Sequence, residues 1–136
     1  MDLTIRSCFL PHSDAVAAVA FYRDVLGFEV RADVGQEDQR SITVGPVGQR
    51  DVSIVLHPPL AHPGLTPEER GTIEELMARG GCLSVNLTTR DLDETFAVVE
   101  ASGAEVTQEP IRHGNGVRDC AFRDPAGNTI RIQERC

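Results

Sequence analysis

The sequence predicts an α+β fold made of two βαβββ modules in one chain. Three observations carry that expectation. The order of strand-like and helix-like segments in the first half recurs in the second. Each half carries a capped helix that ends on a glycine followed by a strand. A further helix, with its own start and stop signals, lies between the halves. The 136 residues suit one domain with a core of its own. The expected division is a single domain over 1–136, with module one at 1–59, a connecting helix at 60–81 and module two at 82–136.

In module one, Leu3 to Leu10 reads as a strand. Pro11-His12-Ser13-Asp14 breaks it, and Ser13 or Asp14 can cap the next helix by accepting from free backbone N–H groups. That helix is expected to run through Val25, because Val16, Val19, Ala20, Phe21 and Val25 recur at helical spacing. Gly27 suits the left-handed position after a helix. Phe28 to Asp33, Arg40 to Val44 and Val52 to His57 read as three strands, closed by Gly45-Pro46 and Pro58-Pro59.

The connecting segment opens its helix on Thr66-Pro67-Glu68-Glu69: an N-cap threonine, a first-position proline and acids in the first turn. Ile73, Leu76 and Met77 form its one apolar stripe, and Gly80-Gly81 stops it. It is expected to pack on the outside. Module two then repeats the order. Leu83 to Thr89 is a strand, and Asp91 caps a helix through Ala101 with Phe96 and Val99 on its apolar side. Ala104 to Glu109, Val117 to Arg123 and Thr129 to Glu134 follow as strands. Leu26-Gly27-Phe28-Glu29-Val30 can be laid over Ser102-Gly103-Ala104-Glu105-Val106, which marks an internal repeat.

Composition excludes several functions. The charge is −8, from 13 basic against 21 acidic residues. Nucleic acid and anionic membrane surfaces both call for a basic face, so neither is an expected partner. Every basic residue is arginine, which excludes a Schiff-base lysine and a phosphate-loop lysine. No apolar run approaches the roughly 20 residues of a membrane span, and the first residues lack the basic-then-apolar pattern of a signal peptide. Cys8, Cys82, Cys120 and Cys136 form no Cys-x-x-Cys pair. The first three lie in strand-like runs and are expected to be reduced and buried, with Cys136 the more exposed thiol. A cytoplasmic protein is the expectation. No Gly-x-Ser-x-Gly elbow or glycine-rich phosphate loop is present.

Two motifs carry a resemblance. Phe21-Tyr22-Arg23-Asp24-Val25-Leu26-Gly27-Phe28-Glu29-Val30 resembles the first-module signature of the glyoxalase/bleomycin-resistance/dioxygenase superfamily, the vicinal oxygen chelate proteins. Phe122-Arg123-Asp124-Pro125-Ala126-Gly127-Asn128-Thr129-Ile130 resembles its last-hairpin signature. Both are mostly packing and turn chemistry. The resemblance spans nearly the whole chain and implies curved mixed sheets enclosing a central cavity between the modules. It also points to a homodimer.

Metal-using members of that superfamily place His, Gln or Glu on four inward strands. The matching positions here are Ser7, Val55, Ser84 and Arg131. Valine has no donor atom and arginine is a fixed cation, so no metal and no cofactor is implied. By strand alternation Ser7, Phe9, Val55, His57, Ser84, Asn86, Asp119, Arg131 and Gln133 are expected to line the cavity. His57 is the one candidate catalytic residue, as a general base or one weak ligand, set against a strand-end histidine bonded to backbone or water. A ligand pair of His57 with His62 is disfavoured by the intervening prolines. His12 and His113 sit in loops and are expected to be solvated, and Arg112 to Gly116 is expected to form a mobile lip. Arg131 has three possible settings: an internal pair with Asp119, a partner for a ligand carboxylate, or solvent.

The expected function is that of a metal-free small-molecule binding protein holding a small ligand in the cavity, an anionic one where Arg131 is offered to it. The alternative is a lyase, isomerase or dioxygenase-like enzyme of the same superfamily, either metal-dependent through unrecognised ligands or using His57 as base.

Overall fold

The computed structural model describes residues 1–36, 39–58, 64–80 and 83–135. Its secondary structure is α+β, with two four-stranded mixed sheets and three helices. The chain divides into two compact units, Met1–Glu75 and Leu76–Cys136, with the boundary inside the middle helix. Among the described residues no helix is long and apolar enough to cross a membrane.

The first unit holds β1 (Ser7–Pro11), α1 (Ala15–Val19), β2 (Glu29–Val34), β3 (Ser41–Gly45) and β4 (Ser53–His57). The strand order is β1-β4-β3-β2, with β1 parallel to β4 and the other pairs antiparallel. Alternation decides which face is buried. Leu10, Ile42, Val44, Ile54 and Leu56 are buried beside Phe21, Tyr22 and Phe28. Each such side chain contributes roughly 1.5–3 kcal/mol through burial. The helix cap is as expected: Asp14 Oδ1 accepts from Val16 N at 3.0 Å and Ala17 N at 3.2 Å.

Three expectations for this unit are corrected. The first strand begins at Ser7 rather than Leu3, because its ladder starts where β4 does, at Ser7 opposite Ser53. Leu3 and Ile5 have no strand beside them and are exposed. The helix is not regular through Val25: α1 continues as a π-helical turn, Ala20–Val25, in which Leu26 N donates to Phe21 O at 3.0 Å. The wider turn accompanies the burial of two consecutive aromatics, Phe21 and Tyr22, packed edge-on at 5.2 Å, while Val16 is exposed. Cys8 is exposed rather than buried, since β1 is the edge strand of its sheet.

The middle helix, α2 (Pro67–Arg79), begins with a reciprocal cap. Glu69 N donates to Thr66 Oγ1 at 3.1 Å and Thr66 N donates to Glu69 Oε1 at 3.0 Å. None of its residues is fully buried, consistent with a short apolar stripe.

The second unit holds β5 (Ser84–Thr89), α3 (Leu92–Ala101), β6 (Glu105–Arg112), β7 (Arg118–Arg123) and β8 (Thr129–Glu134). Its order, β5-β8-β7-β6, repeats the first sheet, with β5 parallel to β8. Asp91 caps α3 by accepting from Glu94 N at 3.0 Å. Leu92 and Val99 of the helix, with Cys120, Phe122, Ile130 and Ile132 of the sheet, form the core. Gly27 and Gly103 both adopt positive φ after their helices, at 76° and 91°.

The β7–β8 turn is fixed by one carboxylate. Asp124 Oδ1 accepts from Ala126 N and Asn128 N, each at 2.9 Å, and Oδ2 accepts from Asn128 Nδ2 at 2.8 Å. The end of α2 docks on this turn. A Cβ on Gly127 would lie 2.3 Å from Met77 O, and Gly127 has a φ of 90°.

Candidate functional site

In each unit one sheet face meets its helix and the other stays polar or open. Strand register determines which residues share the open face. In the second unit Asn86 of β5 stands opposite Arg131 of β8, which stands opposite Ala121 of β7, which stands opposite Gln108 of β6. The next row holds Thr88, Gln133 and Asp119. Ser84 lies one row the other way, opposite Thr129. The register therefore gathers five of the expected residues, Ser84, Asn86, Asp119, Arg131 and Gln133, on one face. Ile130 and Ile132 lie on the opposite, buried face.

Asp119 is the hub of this face. It is 6% exposed and accepts from three side chains. Gln108 Nε2 donates to Oδ1 at 2.7 Å, His113 Nε2 lies 2.7 Å from the same oxygen, and Arg131 Nη1 donates to Oδ2 at 3.1 Å. An ionised carboxylate only accepts, so His113 carries its proton on Nε2. Burial pushes the Asp119 carboxyl up, but the bonds from Gln108, His113 and Arg131 outweigh it and hold the group below the ordinary carboxylate range. Burial first, and the Asp119 charge second, push the neighbouring Cys120 thiol up to about 11. Arg131 Nη1 also donates to Gln108 Oε1 at 3.1 Å. The internal pair of Arg131 with Asp119 is thus present.

Sequence reasoning missed two members of this network. Gln108 sits between two register shifts of β6, where simple alternation fails. His113 is bonded to Asp119 rather than solvated, because β6 runs on to Arg112 and carries it there. The segment expected to be a loose lip is bonded as a turn: His113 N donates to Val117 O at 2.8 Å, and Arg112 Nη1 donates to Gly116 O at 2.8 Å.

In the first unit, Phe9, Val55, Thr43 and Ala32 form one row across the sheet. Ser7 lies a row to one side opposite Ser53, and His57 a row to the other opposite Pro11. Ser7, Phe9, Val55 and His57 therefore share a face, on which Phe9 is 68% exposed. His57 is exposed, and its Nδ1 lies 2.5 Å from Ser41 Oγ, a side-chain partner that the sequence did not suggest. His12, expected in solvent, is 5% exposed. Its Nε2 donates to Arg40 O at 2.6 Å, while Nδ1 has no partner among the described residues. The structure thus buries His12 where β1 ends, as a bridge to β3's approach. His62, Cys82 and Cys136 lie outside the described residues.

Among the described residues no three His, Cys, Asp or Glu side chains cluster as a binding group. At the last-strand position that the sequence resemblance marks for a metal ligand stands the Arg131 guanidinium, a fixed cation.

Two βαβββ units, each leaving one sheet face uncovered by its helix, define a paired-module scaffold. The chain belongs to the Glyoxalase/Bleomycin resistance protein/Dioxygenase superfamily, whose model matches residues 4–132. It is similar to the crystal structure of UcmS2, with 29% identity and a TM-score of 0.87 over 99% of this chain and 100% of that one. It is also similar to TnmS3, an antibiotic binding protein from Streptomyces sp. CB03234, with 26% identity and a TM-score of 0.74 over 99% and 98% of the two chains. An uncharacterized Bacillus subtilis (strain 168) protein, YurT, is 26% identical over 99% of this chain and all of its own.

Proposed function

We propose that the protein binds a small, anionic organic molecule, without a metal, at the open face of its second sheet. The observation that carries this reading is the second sheet's open face. It offers hydrogen-bonding groups (Ser84, Asn86, Gln133 and Arg131) and no metal-ligand cluster among the described residues. The full-length likeness to TnmS3, an antibiotic binding protein, supports it. The proposal includes a cytoplasmic location, supported by the free thiols Cys8 and Cys120. It also includes a homodimer.

Elemental analysis of untagged protein tests the metal-free part. Less than about one-tenth equivalent of Zn, Ni, Mn or Fe is expected, and no change in melting temperature with EDTA. A full equivalent whose removal lowers the melting temperature would overturn it.

One observation favours a second reading, an enzyme using His57 as base. The Ser41 hydroxyl fixes His57 Nδ1 at 2.5 Å, which holds the imidazole while its ring stays exposed. Under this reading His57→Gln abolishes turnover of a bound substrate. Under the binding reading no turnover exists and His57→Gln changes affinity alone.

A further inference from the structure

We infer that Arg131 anchors a planar-oxyanion site on the second sheet, one that takes the carboxylate of a small monoanion in preference to a phosphate. The inference rests on the ligand-binding reading above and names the chemistry of its ligand.

The pair with Asp119 does not consume the arginine. Both bonds of the guanidinium, to Asp119 Oδ2 and to Gln108 Oε1 at 3.1 Å each, are made by Nη1. Nε and Nη2 make no hydrogen bond among the described residues, and the side chain is 37% exposed. Guanidinium has five N–H donors in a rigid plane. Clamping Nη1 fixes that plane and leaves the Nε–Nη2 edge, whose two parallel donors match the two oxygens of a carboxylate. Asp119 and Gln108 therefore act as positioning residues. They set the fork before a ligand arrives, so less freedom is lost on binding.

The neighbours of Arg131 suit the same ligand. Asn86 is its register partner on β5, exposed and with no side-chain bond among the described residues, so its amide is available beside the fork. On the other side the partner is Ala121, which adds no bulk. Charge separates carboxylate from phosphate. Asp119 already sets one negative charge against Arg131. A monoanion adds one more, whereas a phosphate dianion adds two, and the other arginine of this face, Arg123 one row away, already faces Glu105 at 3.3 Å.

Nitrogen-15 NMR of the Arg131 Nε–H group, assigned by its loss in Arg131→Lys, reads the site directly. Sodium benzoate and phenyl phosphate are the probes, titrated at pH 7.5. Benzoate is expected to shift the Arg131 resonance saturably and to bind at least about tenfold more tightly than phenyl phosphate. Arg131→Lys keeps the charge and loses the edge, and is expected to weaken benzoate about tenfold or more. The inference falls if benzoate leaves the resonance unmoved, if phenyl phosphate binds equally well, or if Arg131→Lys binds benzoate as the wild type does. A molecule that co-purifies with the wild type and binds Arg131→Lys equally well would leave the binding reading standing and remove this one. If Arg131→Lys does not fold, the wild-type comparison of the two probes still decides.

Discussion

Asp119 shows how a single buried charge organises a surface. With one oxygen accepting from Gln108 and His113 and the other from Arg131, the carboxylate stays ionised despite burial. A depressed carboxyl pKa has a definite consequence. The unfolded chain takes up this proton near the ordinary value of 3.8, before the folded protein does. The stabilisation is therefore complete above that value and is lost as pH falls through the lower folded value. Urea unfolding of His113→Gln, in which Asp119 is the group compared, is expected to show a stability advantage over the His113→Gln/Asp119→Asn double variant that is constant from pH 7 to about 5 and shrinks below about 4. A constant gap down to pH 3 would contradict the ion-pair network. The sequence allowed Arg131 and Asp119 to be placed on one face, because the β7–β8 register runs without a shift there. It did not disclose Gln108 or His113, because bulges in β6 break the period of two on which such reasoning depends. His12 was hidden for a related reason: a polar residue after a proline reads as a loop, and only the tertiary fold brings Arg40 O to it.

Elements were legible where local chemistry is strong. The caps at Asp14, Thr66 and Asp91 and the glycines after two helices stand where their residue types require them. The π-helical turn was not legible, since the spacing of the apolar residues fits a regular helix equally well, and the turn coincides with the joint burial of Phe21 and Tyr22. The start of β1 was not legible either, because a strand exists only where a neighbour supplies its ladder. The docking of α2 on the β7–β8 turn gives an element-scale test. Gly127→Ala places a methyl 2.3 Å from Met77 O on a backbone of positive φ. The left-handed conformation alone costs roughly 1–3 kcal/mol for a non-glycine residue, and displacement of α2 adds to it. Denaturant unfolding is expected to show at least that loss, and an unchanged midpoint would mean that the turn and helix are not held together.

At the scale of the molecule, the repeat was readable because two sets of caps and turns recur in one order, and the same strand order appears in both sheets. The ligand was not readable, since packing motifs specify the scaffold and leave the open faces free to vary. Each sheet ends in two edge strands, which favour pairing with another chain. Light scattering is expected to give about twice 14.8 kDa at micromolar concentration. A monomer at every concentration would refute the proposed homodimer. Native mass spectrometry of protein purified without added ligand decides between a held organic molecule and a held metal ion. The expected spectrum shows the chain mass plus an organic adduct that acid releases, with no metal increment. A stoichiometric metal increment that EDTA removes, without any organic adduct, would contradict the proposed binding.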